Sequence, residues 1–270
     1  MGARMPAVAG MFYPSEPSLL GRQVERFMLS AKTKPSCVGV VSPHAGYGYS
    51  GQTAAYAIGS LKPAKTFIIL GPNHTGFGSE FSLMSGGSWK TPLGEVEIDK
   101  TIAAELFRRT DIADDAAAHM AEHSIEVQLP FLQKRFSSNS FSFVPICIMN
   151  ISYSDEFMDA CVGTGEIIAD IVKSKSSSDA IGVIASSDFS HYVAPDTIEK
   201  REKPIVKAIL ELDVPKFFDA LSSTNASVCG YGPIAVLMAA AKKLKLRARD
   251  IHSSDSGGGK AVSYRAIGFG

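Results

Sequence analysis

The chain has no charge excess and little cysteine. Lys+Arg and Asp+Glu are both 27 in 270 residues, so the formal net charge is zero. A nucleic-acid or membrane-surface binder ordinarily carries a basic surplus. Neither class is expected here, which leaves small-molecule and peptide ligands. The four cysteines, Cys37, Cys147, Cys161 and Cys229, are too few and too scattered for a disulfide framework in a chain of this length. Cys37, Cys147 and Cys161 lie in apolar stretches and are expected as buried small hydrophobes. No apolar run reaches the length of a signal peptide or a membrane span. Pro6 stands where a myristoylation signal needs Ser or Thr. A cytoplasmic protein is the expectation. There is no Walker A sequence, Cys-x-x-Cys pair or Gly-x-Ser-x-Gly elbow, and no nucleotide-binding loop is expected.

What is present is apolar and periodic. At 45% hydrophobic and 20% charged residues, the chain can bury a full core. Short, nearly continuous apolar runs at 37–41, 66–70, 141–148 and 180–186 read as strands buried on both faces, as in a mainly parallel sheet. Between them, 3.6-residue periodicity predicts helices over 18–31, 99–110 (capped by Asp99), 123–136 (kinked by Pro130) and 155–174. Helices are also expected over 196–212, 213–223 and 232–244, and a hairpin closes the chain around Gly257–Gly259. Alternating strands and helices give an α/β fold with flanking helices. No repeat or low-complexity linker divides it, so residues 1–270 are expected to form one domain.

Three of the six histidines share one kind of position. His44 follows the run ending at Val41, His74 follows the run ending at Leu70, and His191 lies just past the run ending at Ser186. Ligands in open α/β sheets collect outside the carboxyl ends of parallel strands, so the three could face one pocket. Neutral imidazole is a common metal ligand. Cys229 precedes a predicted helix, whose N-terminus would favour a thiolate. Asp188 could be a metal ligand, a partner of His191 or a helix cap. His123 could be an acid/base or a plain N-terminal helix residue, while His119 and His252 have no supporting context. Gly46 and Gly48 would let the backbone bend closely around a ligand, and Tyr47, Tyr49 and Tyr231 could line the pocket. A Ser42–His191–Asp188 hydrolase can be assembled on paper, but nothing in the spacing fixes it.

Eight ordered segments carry a family resemblance: "PAVAGMFYP" (6–14), "SPHAGYGYSG" (42–51), "ILGPNHTG" (69–76), "TPLGEVEID" (91–99), "EHSIEVQLPFL" (122–132), "SSDFSHY" (186–192), "CGYGPI" (229–234) and "AVSYRAIG" (261–268). Together they resemble the Memo-like family over nearly the whole chain, and that family is related in fold to class III extradiol dioxygenases. The resemblance implies a metal held by His44, His74 and Cys229, with Asp188 and His191 alongside. Extradiol dioxygenases hold Fe(II) with two histidines and a carboxylate. A cysteine in the carboxylate's place makes a softer set, which suits iron or copper, with zinc as a further candidate. Two functions of different class follow. One is a metal-dependent oxidoreductase in which His123 and His191 move protons and Asp188 orients His191 or joins the metal shell. The other is a non-catalytic module that binds a peptide or metabolite in the same pocket. Animal members resemble phosphotyrosine-peptide adaptors, with a tryptophan where this chain has Phe12. Microbial members look like partners of a radical-SAM protein and an AMMECR-type protein.

Overall fold

The computed structural model describes residues 2–270. In chain order, β1 (Ala3–Arg4) leads to α1 (Pro17–Ala31), β2 (Gly39–Ser42), α2 (Tyr47–Ser60) and β3 (Thr66–Asn73). Three short strands follow, β4 (Phe81–Leu83), β5 (Ser88–Thr91) and β6 (Gly94–Glu97), then α3 (Lys100–Arg109) and β7 (Ala113–Asp114). The second half runs α4 (Leu129–Phe136), β8 (Ser142–Met149), α5 (Asp155–Ser174), β9 (Ile181–Ser186), α6 (Pro195–Glu211), α7 (Val214–Thr224), α8 (Tyr231–Lys243), β10 (Ala248–Asp255) and β11 (Ser263–Phe269).

The main sheet has the order β10-β11-β2-β9-β3-β8-β4-β7. Its centre, β2, β9, β3 and β8, is parallel, and every residue of β2, β3 and β9 is buried. The flanks are not parallel. β11 runs antiparallel to both β10 and β2, and β4 runs antiparallel to β8. The sheet is therefore mixed: its centre is parallel as expected, and antiparallel pairs join the flanks to it. The reason is that the terminal hairpin and the short strand β4 attach outside the crossover-built centre, where no helix has to intervene.

The crossovers place the helices. From β2 through α2 to β3 the chain steps across β9 in one direction, and from β8 through α5 to β9 it steps back across β3. Right-handed connections running in opposite directions put α2 and α5 on opposite faces. On one face α2 packs with α1 and α4, and on the other α5 packs on α8, which covers the parallel centre. The reversal leaves β2, β9 and β3 side by side, with their carboxyl ends at one edge.

A second sheet, β1-β5-β6, holds the N-terminal segment against the body. Its anchor is Arg4, 1% exposed, whose guanidinium lies 4.0 Å over the Trp89 ring and 2.7 Å from Glu126.

Two expectations about helices change. Pro130 does not kink a helix over 123–136. It sits in the first turn of α4, where its missing N–H has no helical partner to lose, and a 3-10 turn at Glu126–Gln128 precedes it. Residues 47–60 are a regular helix, and a Cβ at Gly48 would meet nothing, so Gly48 marks no close approach.

Candidate functional site

His44 stands two residues past β2, His74 directly follows β3, and Cys229 lies two residues before α8. The structure brings the three together: one ligand atom from each lies within 4.8 Å of the others. His44 Nε2 is 3.1 Å from Cys229 Sγ, and the two imidazole rings are 5.1 Å apart, edge to face. His44 is buried, Cys229 half-buried and His74 more open, so the cluster sits at the floor of an accessible edge.

His74 is held twice by one carboxylate. Its backbone N–H donates to Glu122 Oε2 at 2.6 Å and its Nδ1 faces Glu122 Oε1 at 3.0 Å. Glu122 Oε1 also accepts from the backbone N–H groups of His123 and Ser124. Burial works to raise this carboxyl, but the His74 bond and the charges of His74 and His123 outweigh it and hold the group down to about 2. A second possible ligand grouping, His74, Glu122 and His123, has its atoms equally close together. The acceptor positions of Glu122 are already filled by N–H groups, so Glu122 serves as the partner of His74. Sequence reasoning missed it. The available signal was an acid adjacent to His123 in "EHSIEVQL".

His123 completes the histidine group. Its ring stacks on His74 at 4.7 Å and packs against Phe12 at 4.7 Å. Burial lowers its pKa against the opposing pull of Glu122. Burial, and then the neighbouring imidazoles, push His44 well below the usual histidine range. His44 is therefore neutral at pH 7.

Asp188 accepts from the His44 backbone N–H at 2.9 Å, and its own N–H points at Cys229 Sγ at 3.2 Å. Burial pushes its carboxyl up to about 6 despite the His44 bond. His191 is oriented by a different residue from the one expected. Its N–H donates to Ser227 Oγ at 2.8 Å and its Nδ1 faces the Ser227 carbonyl at 2.6 Å, so Ser227 rather than Asp188 aims the ring. The expected lowering of the Cys229 thiol is also overturned for the metal-free chain. Burial pushes the thiol well up, and the Asp188 carboxylate adds to it, against the lowering hydrogen bonds from the Asp188 N–H and the Ser187 hydroxyl.

Several candidates belong to the core. Ser42 is fully buried and donates to Gln128 Oε1, so it cannot act as a nucleophile beside His191. Tyr47 is core, with its hydroxyl on the Val127 carbonyl, Tyr49 is exposed, and Tyr231 packs among Tyr153, Phe157 and Phe218. His119 is buried beside Cys147, and His252 stacks on Tyr56. Cys37, Cys147 and Cys161 are buried and free, as expected. Gly46, Gly48 and Gly51 have the spacing of a dinucleotide fingerprint where β2 gives way to α2, with Gly48 and Gly51 already inside the helix. However, the Tyr47 N–H at the start of that helix donates to the Phe12 carbonyl, and no acid stands at the end of β3. The loop is closed to a phosphate.

Fold and site together define a mixed α/β protein with a histidine–cysteine cluster at the carboxyl edge of its central strands. A family profile described as Memo-like protein matches residues 4–270. Proteins described as MEMO1 family proteins match over most of their length. One from Methanosarcina acetivorans is 44% identical over 90% of this chain and 88% of its own, and one from Methanosarcina barkeri is 43% identical over 98% and 97%. One from Thermoplasma volcanium is 39% identical over 94% and 91%. The chain belongs to the Memo-like family. An uncharacterised protein from Escherichia coli K12, known from a crystal structure, aligns over 98% of both chains at TM-score 0.45 and 12% identity. No helix among the described residues is long and apolar enough to cross a membrane.

Proposed function

We propose that this Memo-like protein binds one metal ion through His44, His74 and Cys229 and is a metal-dependent oxidoreductase, related in chemistry to extradiol dioxygenases. The carrying observation is that two imidazoles and a thiol from three separate segments converge within 4.8 Å. The donor chemistry fits a first-row metal: two neutral nitrogens and a sulfur suit iron or copper, and also zinc. A bound iron or copper ion would supply electron transfer and would polarise a substrate oxygen.

The chain's own residues do the rest. Glu122 keeps the Nδ1 proton of His74 on the side away from the cluster. The Asp188 carboxylate fixes the backbone at His44, and the Asp188 backbone N–H holds the Cys229 sulfur. His123, neutral at working pH, is placed to take a proton from a substrate hydroxyl. His191, aimed by Ser227, is the second proton-carrying candidate. The test is equilibrium binding of Fe(II), Cu(I) and Zn(II) to chelator-treated protein. One ion per chain is expected, with loss of binding in His74→Ala. A wild type that binds none of the three ions overturns the reading.

A second reading, a non-catalytic module for a peptide or metabolite, is favoured by exposed apolar side chains that adjoin site residues in sequence. Phe77 is 67% and Tyr192 72% exposed. Stoichiometric metal with no oxygen consumption across a panel of catechols would favour it.

A further inference from the structure

The two imidazoles that meet Cys229 are oriented by different means. His74 faces a carboxylate, which can only accept. His44 Nδ1 faces a hydroxyl, Ser186 Oγ at 2.9 Å, which could donate or accept. The other contacts of that hydroxyl decide the direction. Gln128 Nε2 lies 2.9 Å from Ser186 Oγ and 2.9 Å from the Pro43 carbonyl oxygen. A carbonyl oxygen cannot donate, and Gln128 Oε1 takes the Ser42 hydroxyl at 2.8 Å. The Gln128 amide is thereby fixed with its NH₂ toward Ser186. Ser186 Oγ accepts a hydrogen bond from Gln128 Nε2 and donates its own to the Ser124 carbonyl at 2.7 Å, which again can only accept. What remains on Ser186 is a lone pair, and it faces His44 Nδ1. Ser42, Ser124, Gln128 and Ser186 are all 0% exposed, so these groups must satisfy one another.

We propose that Ser186, set by Gln128 and the Ser124 carbonyl, is a positioning residue that holds His44 as the Nδ1–H tautomer and presents a bare Nε2 to the centre shared with His74 and Cys229. The consequence for metal affinity rests on the reading above, whereas the tautomer belongs to the chain alone. In the opposite tautomer a proton on Nε2 would point at Cys229 Sγ, 3.1 Å away, and would have to leave before an ion could bind. The ring nitrogen that carries the proton is set by the hydrogen bond at the other one. Removing the Ser186 acceptor should therefore release the tautomer.

The experiment is heteronuclear NMR of the imidazole nitrogens in chelator-treated protein, above the histidine titration range, with His44 assigned from His44→Gln. Wild type should show a protonated Nδ1 and an unprotonated Nε2 at His44. Ser186→Ala should move His44 toward Nε2–H and weaken zinc binding by about 10- to 100-fold. Ser186→Thr, which keeps the hydroxyl, should restore both. A wild-type His44 protonated at Nε2 overturns the proposal, and this readout needs no variant to fold. So does a Ser186→Ala protein that keeps the Nδ1–H tautomer, whatever its zinc affinity. Failure of wild type to bind zinc removes the metal reading and leaves the tautomer result standing by itself, so the two failures are distinguishable.

Discussion

At the scale of single residues, burial decides which groups change charge. His119 is fully buried between Cys147 and Trp89, and burial, with the Arg4 charge, pulls its pKa from 6.5 to about 4. A lowered folded-state pKa means that the unfolded chain takes up a proton first as pH falls. Stability from this residue is present above 6.5 and is lost as pH drops toward 4. The fall amounts to about 3 kcal/mol. Urea unfolding of wild type and His119→Gln between pH 7 and pH 4 should show the variant losing less stability by about that amount; parallel pH profiles would contradict it. The ligand candidates His44, His74 and Cys229 were legible in the sequence because each sits at a recognisable strand end or helix start. Glu122, Ser186, Gln128 and Ser227 were not. Each acts through a contact distant in sequence, and before folding such a residue resembles any polar loop residue or cap.

At the scale of elements, amphipathic and buried helices differ in how visible they are. α3 and α5 showed their stripes, and α3 also showed its Asp99 cap, which the structure bears out; the Ser154 cap of α5 emerges from the structure. α2 showed no stripe because it is buried on nearly all sides, and its opening glycines carry a helix penalty of about 1 kcal/mol each. Packing supplies what propensity lacks there. The same contrast gives a paired prediction on α5. A Cβ at Gly165 would run into the backbone of α8 at Val236, whereas one at Gly163 would meet nothing. Gly165→Ala should destabilise by about 1–3 kcal/mol through overpacking. Gly163→Ala should stabilise by up to about 1 kcal/mol through helix propensity. Thermal denaturation of both variants checks this, and equal effects would mean that α5 and α8 do not pack as described.

At the scale of the whole molecule, strand order was not legible. Apolar runs mark strands without saying which ones pair, so the terminal hairpin was legible from its turn, but neither the insertion of β9 between β2 and β3 nor the antiparallel attachment of β11 and β4 to the parallel centre could be read. Nor could the tie between the N-terminus and the site. Arg4 reaches Glu126, the His119 carbonyl and the Glu122 carbonyl, while Glu126 also accepts from the N–H groups of Ala7 and Val8 and from the Tyr13 hydroxyl. This buried network joins residues 4–13 to the segment carrying Glu122 and His123. Removing one partner leaves an uncompensated buried charge, so Arg4→Met should cost about 3–5 kcal/mol in urea unfolding. A cost under about 1 kcal/mol, the range of an exposed pair, would contradict the network's role.

Whether Cys229 and the two histidines share one ion is tested most directly by an anaerobic Co(II) titration of chelator-treated protein. Cobalt reports a bound thiolate by a sulfur-to-metal charge-transfer band. Wild type should develop that band and saturate at one equivalent. Cys229→Ser should lose the band, and His74→Ala should lose stoichiometric binding. A wild type that binds no cobalt, or binds it with the same spectrum after Cys229→Ser, would mean that Cys229 and the histidines do not share an ion.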